Sequence, residues 1–402
     1  MREVPVVIVG GGPAGLSTAG ALTVAGVKCV VLDQEDRIGS SWLRRYERLH
    51  LHTVSRLSGL SHFPMPTHYP KYVSKDQYAE YLQSYANHFE LQVELNAEVV
   101  SVRRDLQSAA DPAFVVETED DAWRCRNVVI ATGKYRQPTI PAFPDLERYQ
   151  GISLHASHYQ TGRDYVGKRV LVAGIGNTGA EIAADLVEQG AASVAISIRS
   201  MPTIVPRDVL GRPIQETGIL LSRLPPHIAD RIGKIVTRFT IGDLSRYGIG
   251  APQWSPFVDK RSPVIDVGFL HNLRANRIAI RPNISRFVSE GVVYADGREE
   301  GYDAVIFATG YATGLEKILK IPGLLDESAQ PRFASGAPTS EPGLYFIGFL
   351  QSNRGLLYEM EIDSRRLAAT IAAPTVRGGR LSELHGVSGH ALGLQPSGRE
   401  RD

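Results

Sequence analysis

The chain has 402 residues, more than one typical domain needs, with 44 basic and 43 acidic side chains and a formal net charge of +1. That balance creates no overall field to attract nucleic acid or an anionic membrane, and a hydrophobic content of 43% suits a globular protein with a sizeable core. No apolar run approaches the about 20 residues that span a bilayer, and the chain enters a strand almost at once, so no membrane-spanning segment and no cleavable signal peptide are expected.

The first predicted element is an apolar strand, Val6–Val9, that feeds Gly10-Gly11-Gly12-Pro13-Ala14-Gly15 and then a helix. A parallel strand turning tightly into a helix aims unpaired N–H groups and the positive end of the helix dipole at a pyrophosphate. Gly10 makes the turn, Gly12 lets the backbone approach the phosphates and Gly15 lets the helix pack on the strand. The next strand ends in Leu32-Asp33-Gln34, and a carboxylate there can accept hydrogen bonds from both ribose hydroxyls, which reads as an FAD site. Cys29 and Cys125 form no C-x-x-C pair, which excludes a disulfide reductase on this plan and fits a reducing, cytoplasmic setting. Ser74 to Gln77 has the form of a capping box that opens a helix through about Phe89, with Tyr78, Tyr81 and Tyr85 on one face as core packing. Residues 112–131 predict two strands around Glu119-Asp120-Asp121, ending at Ala131-Thr132-Gly133, where the chain crosses beside a bound nucleotide.

From near residue 155 the plan repeats. Val170–Ala173 leads into Gly174-Ile175-Gly176-Asn177-Thr178-Gly179, and a later strand ends at Ala308-Thr309-Gly310, followed by Tyr311. The strand between them runs into Arg199-Ser200 with no acid; a guanidinium there binds a 2′-phosphate or is a solvated surface charge, and the first alternative makes this an NADPH site. Asn177 is a candidate to hydrogen-bond the nicotinamide half or the phosphates, or to cap the helix. Residues 201–270 form a proline-rich insertion too long for a simple loop, with a helix around His227–Phe239. Its Ile219, Leu220, Leu221, Leu224, Ile232, Ile235 and Val236 cover a cavity, touch a membrane face or simply pack; as a whole it is read as a substrate lid. A strand over 343–348 and a helix around Ile362–Ala372 should return to the first domain, and a polar tail from 374 is expected to be disordered.

The architecture predicted is α/β: two Rossmann-like dinucleotide-binding domains of three-layer ββα type, with a helical insertion in the second. The FAD domain is expected over 1–154 and 312–373, and the NADPH domain over 155–311. Two dinucleotides in one chain imply redox chemistry. No metal cluster and no Ser-His-Asp set emerges by spacing, and no coiled-coil seam signals an oligomeric state.

Between the two glycine motifs, Tyr149-Gln150-Gly151-Ile152-Ser153-Leu154-His155-Ala156-Ser157-His158-Tyr159 resembles F-x-G-x-x-x-H-x-x-x-(Y/F), the identifying sequence of the flavin-containing monooxygenases, with Tyr for the first Phe. Baeyer–Villiger members carry Trp then Pro or Asp where this chain has Tyr159-Gln160. The chain is most similar to the YUCCA-like branch, which in plants converts indole-3-pyruvate to indole-3-acetate. The similar stretches are Tyr46–His52, Phe63–Pro66, Tyr69–Tyr72, Tyr81–Ala86, Pro206–Gly211, Pro263–Gly268 and Phe307–Tyr311, so the resemblance covers most of residues 4–350. It implies that NADPH reduces FAD, that the reduced flavin captures O2 as a C4a-hydroperoxide, and that this species oxygenates a small organic substrate while NADP⁺ shields it from water. The family pattern lays Ser41 and Trp42 along the flavin and puts His52 beside it, where N-oxygenating members usually carry Asn. His52 then bonds the flavin or its peroxide, acts as a base, or is structural. Arg48 binds a substrate carboxylate or salt-bridges to a core acid. Decarboxylation of an α-keto acid is the favoured reaction; N- or S-oxygenation, or NADPH reduction of the flavin without productive oxygenation, are the alternatives.

Overall fold

Two five-stranded parallel sheets built on one plan organise the molecule, whose computed structural model describes residues 1–106 and 113–373. The first starts with β1 (Val6–Val9), a wholly buried Val/Ile run of the kind that a strand covered on both faces requires. It turns into α1 (Pro13–Val24), which starts on proline and is buried on every side from Ala14 to Leu22, and the chain returns as β2 (Cys29–Leu32). α2 (Lys75–His88) opens with the expected capping box: Ser74 Oγ accepts from Gln77 N at 3.2 Å while Gln77 Oε1 accepts from Ser74 N at 3.2 Å. Its Tyr78, Tyr81 and Tyr85 are all buried, as a packing stripe should be. Gly20 of α1 lies so close to Tyr85 that a Cβ there would stand 2.1 Å from the hydroxyl.

Residues 114–130 form three strands where two were expected. The alternating burial of Ala122–Cys125 fits a half-exposed antiparallel layer, with Ser101–Arg104 and Phe114–Glu117. After Arg126 the pattern becomes continuous in β3 (Asn127–Ile130), which joins the buried parallel sheet.

The second sheet opens with β4 (Ile152–His155), three residues before the expected boundary, because this strand pairs with the later Ala304–Phe307. Then follow β5 (Arg169–Ala173), α3 (Asn177–Glu188) and β6 (Ser193–Ser197). The insertion supplies α4 (Ile214–Leu221) and α5 (Pro226–Thr240), the latter at the place predicted, and β7 (Ile278–Arg281) returns to the sheet. An antiparallel layer of Ile284–Val288, Gly291–Tyr294 and Glu299–Gly301 precedes β8 (Ala304–Phe307). β9 (Leu344–Phe346) goes back to the first sheet, and α6 (Leu356–Ala372) packs on α1. α6 starts earlier than the predicted Ile362, immediately after Gly355 at φ +98°. The tail expected from 374 lies outside the described residues.

The spatial orders are β9-β3-β1-β2-(Val93–Glu94) and β4-β8-β5-β6-β7, all parallel. In each sheet the strand before the glycine loop lies between the Ala-Thr-Gly strand and the strand that reaches the ribose position. Val9 pairs with Leu32 and Ile130, and Ala173 with Ser197 and Phe307. Both glycine loops therefore emerge at the carboxyl edge of their sheet, flanked by the other two strand ends, where open α/β sheets bind ligands. This register puts Ile198, which is buried, at the counterpart of Asp33, and Arg199 one residue further on.

Candidate active site

The glycines of the two loops divide the work identically. Gly10 has φ +109° and a Cβ there would meet the Ala131 carbonyl at 2.7 Å; Gly174 has φ +108° and would meet the Ala308 carbonyl at 2.6 Å. Only glycine tolerates that conformation and that approach. A Cβ on Gly15 would lie 1.8 Å from the Gly10 carbonyl, and one on Gly179 2.0 Å from that of Gly174, so these two fix helix to strand. Gly12 and Gly176, at the N-caps of α1 and α3, have no protein atom within 4 Å of a Cβ. An open cradle before unpaired helical N–H groups fits a pyrophosphate at each loop.

A cavity of about 370 Å³ runs from the first loop past Gly10, Gly12, Asp33, Gln34, Ser41 and Thr132. Asp33 accepts from the backbone N–H of Gly11 and, at 2.8 Å, from that of Glu35, while burial raises its carboxyl pKa above the ordinary value. The Thr132 hydroxyl is buried without a protein partner, a donor available to a bound group.

A second cavity, about 1070 Å³, lies between the loops. Pro13, Ala14, Ser41, Trp42, Thr132 and Gly133 line it on one side; Gly174, Gly176, Asn177, Thr178, Arg199, Ser200, Thr309, Gly310 and Tyr311 line it on the other. Trp42 is braced edge-on by Tyr78, with ring centroids 4.6 Å apart. Tyr311 accepts from Arg45, whose guanidinium lies 5.2 Å from the ring centroid. Arg199 is exposed and makes no ion pair or hydrogen bond with the described residues.

A third cavity, about 860 Å³ and mainly apolar, lies under the insertion, lined by Ile214, Leu221, Val236, Thr237 and Leu350 among others. Of the insertion's apolar residues, Leu221 and Val236 therefore line a chamber, while Leu220, Leu224, Ile232 and Ile235 face out. His52, Thr53, Lys134, Tyr135, Asn177, Trp254, Ser262, Gln351 and Leu356 line both this chamber and the cavity between the loops, and so mark where the two meet.

Three acids on α3 bond residues of the neighbouring segments, and the first of them holds His52 at the junction. Glu181, buried, accepts from Tyr46 Oη at 3.0 Å and bonds His52 Nε2. Asp185 accepts from Tyr159 Oη at 2.5 Å and from Gly162 N at 2.9 Å. Glu188 takes Arg48 at 3.0 Å, so Arg48 is in a salt bridge rather than open to a substrate. Asn177 does not cap its helix, because Gly176 holds the N-cap position. Its side chain instead accepts from Ile265 N at 2.7 Å and donates to Pro263 O at 3.3 Å, which commits both ends of the amide to the insertion. His155 reaches across to the second Ala-Thr-Gly: its Nε2 donates to the Gly310 carbonyl at 2.9 Å and its Nδ1 accepts from Ser157 N at 3.0 Å. Burial holds the His155 pKa below the ordinary imidazole value.

Of the junction residues the sequence reading singled out only His52 and Asn177; Lys134 and Gln351 are among those it missed, as is Glu181, which holds His52. Lys134 had a signal, since it follows the first Ala-Thr-Gly as Tyr311 follows the second. Glu181 had none, because it meets His52 only through the packing of α3. Both cysteines are unpaired, with thiols that burial pushes up to about 12, and neither is a redox partner for a flavin.

Two dinucleotide folds facing one cavity, with a third chamber beyond, define a two-nucleotide flavoprotein oxidoreductase. The flavin-binding monooxygenase-like family matches residues 3–365, and the chain belongs to that family. Among curated relatives, indole-3-pyruvate monooxygenase YUCCA6 of Arabidopsis thaliana is 34% identical, over 91% of this chain and 89% of its own. Indole-3-pyruvate monooxygenase YUCCA1 of Oryza sativa subsp. japonica is 34% identical, over 87% of each. A flavin monooxygenase mutant from Stenotrophomonas maltophilia superposes with a TM-score of 0.72 at 26% identity, covering 92% of this chain and 99% of the other. Cyclohexanone monooxygenase, with a TM-score of 0.70 at 20% identity over 92% and 88%, shares the fold. The chain is an FAD- and NADPH-dependent monooxygenase that inserts one atom of O2 into a small organic substrate. Among the described residues no helix is long and apolar enough to cross a membrane.

Proposed function

We propose that the chain is a decarboxylating monooxygenase of α-keto acids with large apolar side chains, indole-3-pyruvate being the first candidate. The observation that carries this reading is the apolar chamber of about 860 Å³ that meets the cofactor cavity at a polar junction of His52, Thr53, Lys134 and Gln351. It suits a molecule with an apolar body and a polar, reacting end. The plant relatives named for indole-3-pyruvate support it. In the overall reaction the bond between the carboxylate and keto carbons breaks and CO2 leaves. One atom of O2 enters the product carboxylate and the other becomes water, with NADPH and a proton supplying the reducing equivalents.

Bound FAD supplies the electron transfer from NADPH to O2 that this reaction needs. The helix N-termini at Gly12 and Gly176 bind the two pyrophosphates, Thr132 donates to the first nucleotide and Asp33, with Gln34 beside it, takes the adenosine ribose. Ser41 and Trp42 lie along the flavin. Arg199, with Ser200, meets the 2′-phosphate of NADPH. Thr178, Thr309, Gly310 and Tyr311 line the remainder of that nucleotide's path. A carboxylate only accepts, so His52 donates to Glu181 from Nε2, which leaves Nδ1 as the ring nitrogen not used in that bond. Asn177 acts by positioning residues 263–265 beside the junction, and α5 with Trp254 keeps water from the chamber. The FAD domain spans 1–151 and 312–373 and the NADPH domain 152–311, the expected boundary at 155 moving to the start of β4, and the division is supported by the return of β9 to the first sheet. A cytoplasmic location agrees with two unpaired thiols.

The test is turnover of indole-3-pyruvate with NADPH under ¹⁸O2. Indole-3-acetate heavier by one ¹⁸O is the result expected. N-oxide or sulfoxide formed from amines or thioethers, with no oxygenated product from any keto acid, would assign the chain to heteroatom oxygenation instead.

A further inference from the structure

Lys134 stands directly after Gly133 at the carboxyl end of β3, and no other lysine or arginine lines both the cofactor cavity and the apolar chamber. Among the described residues no carboxylate comes within 4 Å of its ammonium. Its partner is a neutral amide: Gln351, oriented by its neighbours, accepts from Lys134 Nζ at 2.7 Å and donates to the Lys260 carbonyl at 3.2 Å. Of the other cations, Lys234 and Arg238 line only the apolar chamber and Arg199 only the cofactor cavity, and three more near the junction are committed. Arg45 bonds Tyr311, Arg207 donates to the Leu51 carbonyl at 2.8 Å, and Arg261 lies over Trp254 at 4.5 Å from the ring centroid. Where this chain buries a lysine, Lys75, it supplies an acid, Asp76, at 2.8 Å. A half-buried ammonium whose neighbours are one neutral acceptor and the Tyr135 ring, 5.6 Å away at its centroid, has no counter-charge, and an anion supplies it.

We propose that Lys134 binds the carboxylate of the substrate and selects anionic over neutral ligands of the same shape. This rests on the α-keto acid reading above and assigns its charge recognition to one residue. With the ammonium at the junction and Ile214, Leu221, Val236 and Leu350 beyond it, an apolar body fills the chamber while the acid end stays at the mouth. The carbon–carbon bond that must break, adjacent to the carboxylate, then lies at the cofactor cavity. Burial brings the Lys134 pKa down to about 8, so the empty site holds its proton weakly and an anion strengthens that hold.

The test uses the FAD-loaded enzyme and two non-reacting probes of one shape, indole-3-acetate and indole-3-acetamide, titrated by the change in flavin absorbance. Wild type should bind the acid more tightly than the amide. In Lys134→Met the acid should lose about tenfold or more in affinity and the amide should keep its own, while Lys134→Arg should retain most of the preference. The ratio is taken within one protein, so it does not depend on how much of a variant folds. A wild type without the preference, a preference that survives in Lys134→Met, or a variant impaired only toward NADPH would overturn the assignment. Keto acids turned over by a Lys134→Met enzyme that keeps the acid preference would remove Lys134 alone. A preference lost in Lys134→Met with no keto acid ever oxygenated would remove the substrate reading and leave the carboxylate site.

Discussion

His52 Nε2 is hydrogen-bonded to the carboxylate of Glu181, which also accepts from the Tyr46 hydroxyl at 3.0 Å. A side chain at the mouth of the flavin cavity is thus held by the helix that carries the second glycine loop, so occupancy of one nucleotide site can influence the geometry beside the other. In Glu181→Ala the buried Tyr46 hydroxyl loses its acceptor, at a cost of about 1–3 kcal/mol, and His52 loses its orientation. The denaturant midpoint should fall, and a larger share of NADPH should end as hydrogen peroxide than in wild type. Glu181→Gln keeps an acceptor oxygen and should lie between the two. Peroxide yield unchanged in Glu181→Ala would show that His52 needs no such support.

Gly12 and Gly15 are separated by one helical turn and predict opposite failures. Space beside Gly12 is empty, so Gly12→Ala should fold normally and be purified without yellow colour, because its methyl group occupies the cofactor's approach. Gly15→Ala drives a methyl into the Gly10 carbonyl, 1.8 Å away, and should reduce soluble yield and thermal midpoint even when FAD is in excess. Gly176→Ala should retain FAD and lose NADPH affinity. Absorbance at the flavin maximum per unit protein, with a melting curve, separates all three; a fully loaded Gly12→Ala would refute the cradle.

The paired folds were legible because glycine positions and strand ends are set by local geometry: Gly10 and Gly174 make the turns and Gly15 and Gly179 the close helix–strand contacts that their spacing implied, with open space beside Gly12 and Gly176. The tyrosine stripe of α2 and the capping box at Ser74 were legible for the same reason. What could not be read was long-range pairing. Ile152–His155 belongs to the second sheet only because its partner lies at 304–307, and Asn177 proves committed to the insertion through backbone groups at 263 and 265. Neither contact leaves a trace in local periodicity.

Arg199 lines the cavity between the loops as an exposed guanidinium, one position beyond the register counterpart of Asp33. That extra residue of reach carries the charge past the strand end, where a 2′-phosphate rather than a ribose hydroxyl would be met. Arg199→Ala should raise the KM for NADPH by about tenfold or more, the loss expected for a charge-assisted hydrogen bond, and leave that for NADH nearly unaltered. Steady-state NADPH and NADH oxidation measured side by side decides it: equal changes would mean that the guanidinium supports the fold and not the phosphate.

His155 carries a pH signature. It is almost fully buried, donates from Nε2 to the Gly310 carbonyl at 2.9 Å, and burial keeps its pKa below the ordinary 6.5. Above that ordinary value both folded and unfolded chains hold a neutral imidazole, and its contribution to stability is complete. As pH falls below it, the unfolded chain takes up a proton that the folded one refuses, so stability is lost progressively toward the lower, folded-state pKa. Replacing the imidazole by a group that does not titrate should flatten this part of the acid limb. His155→Asn should therefore be less stable than wild type at about pH 7.5, for want of the Gly310 bond, and should lose less on going to about pH 5.5. Denaturant midpoints of the two proteins at both pH values test this, and parallel slopes would show that another group governs the acid response.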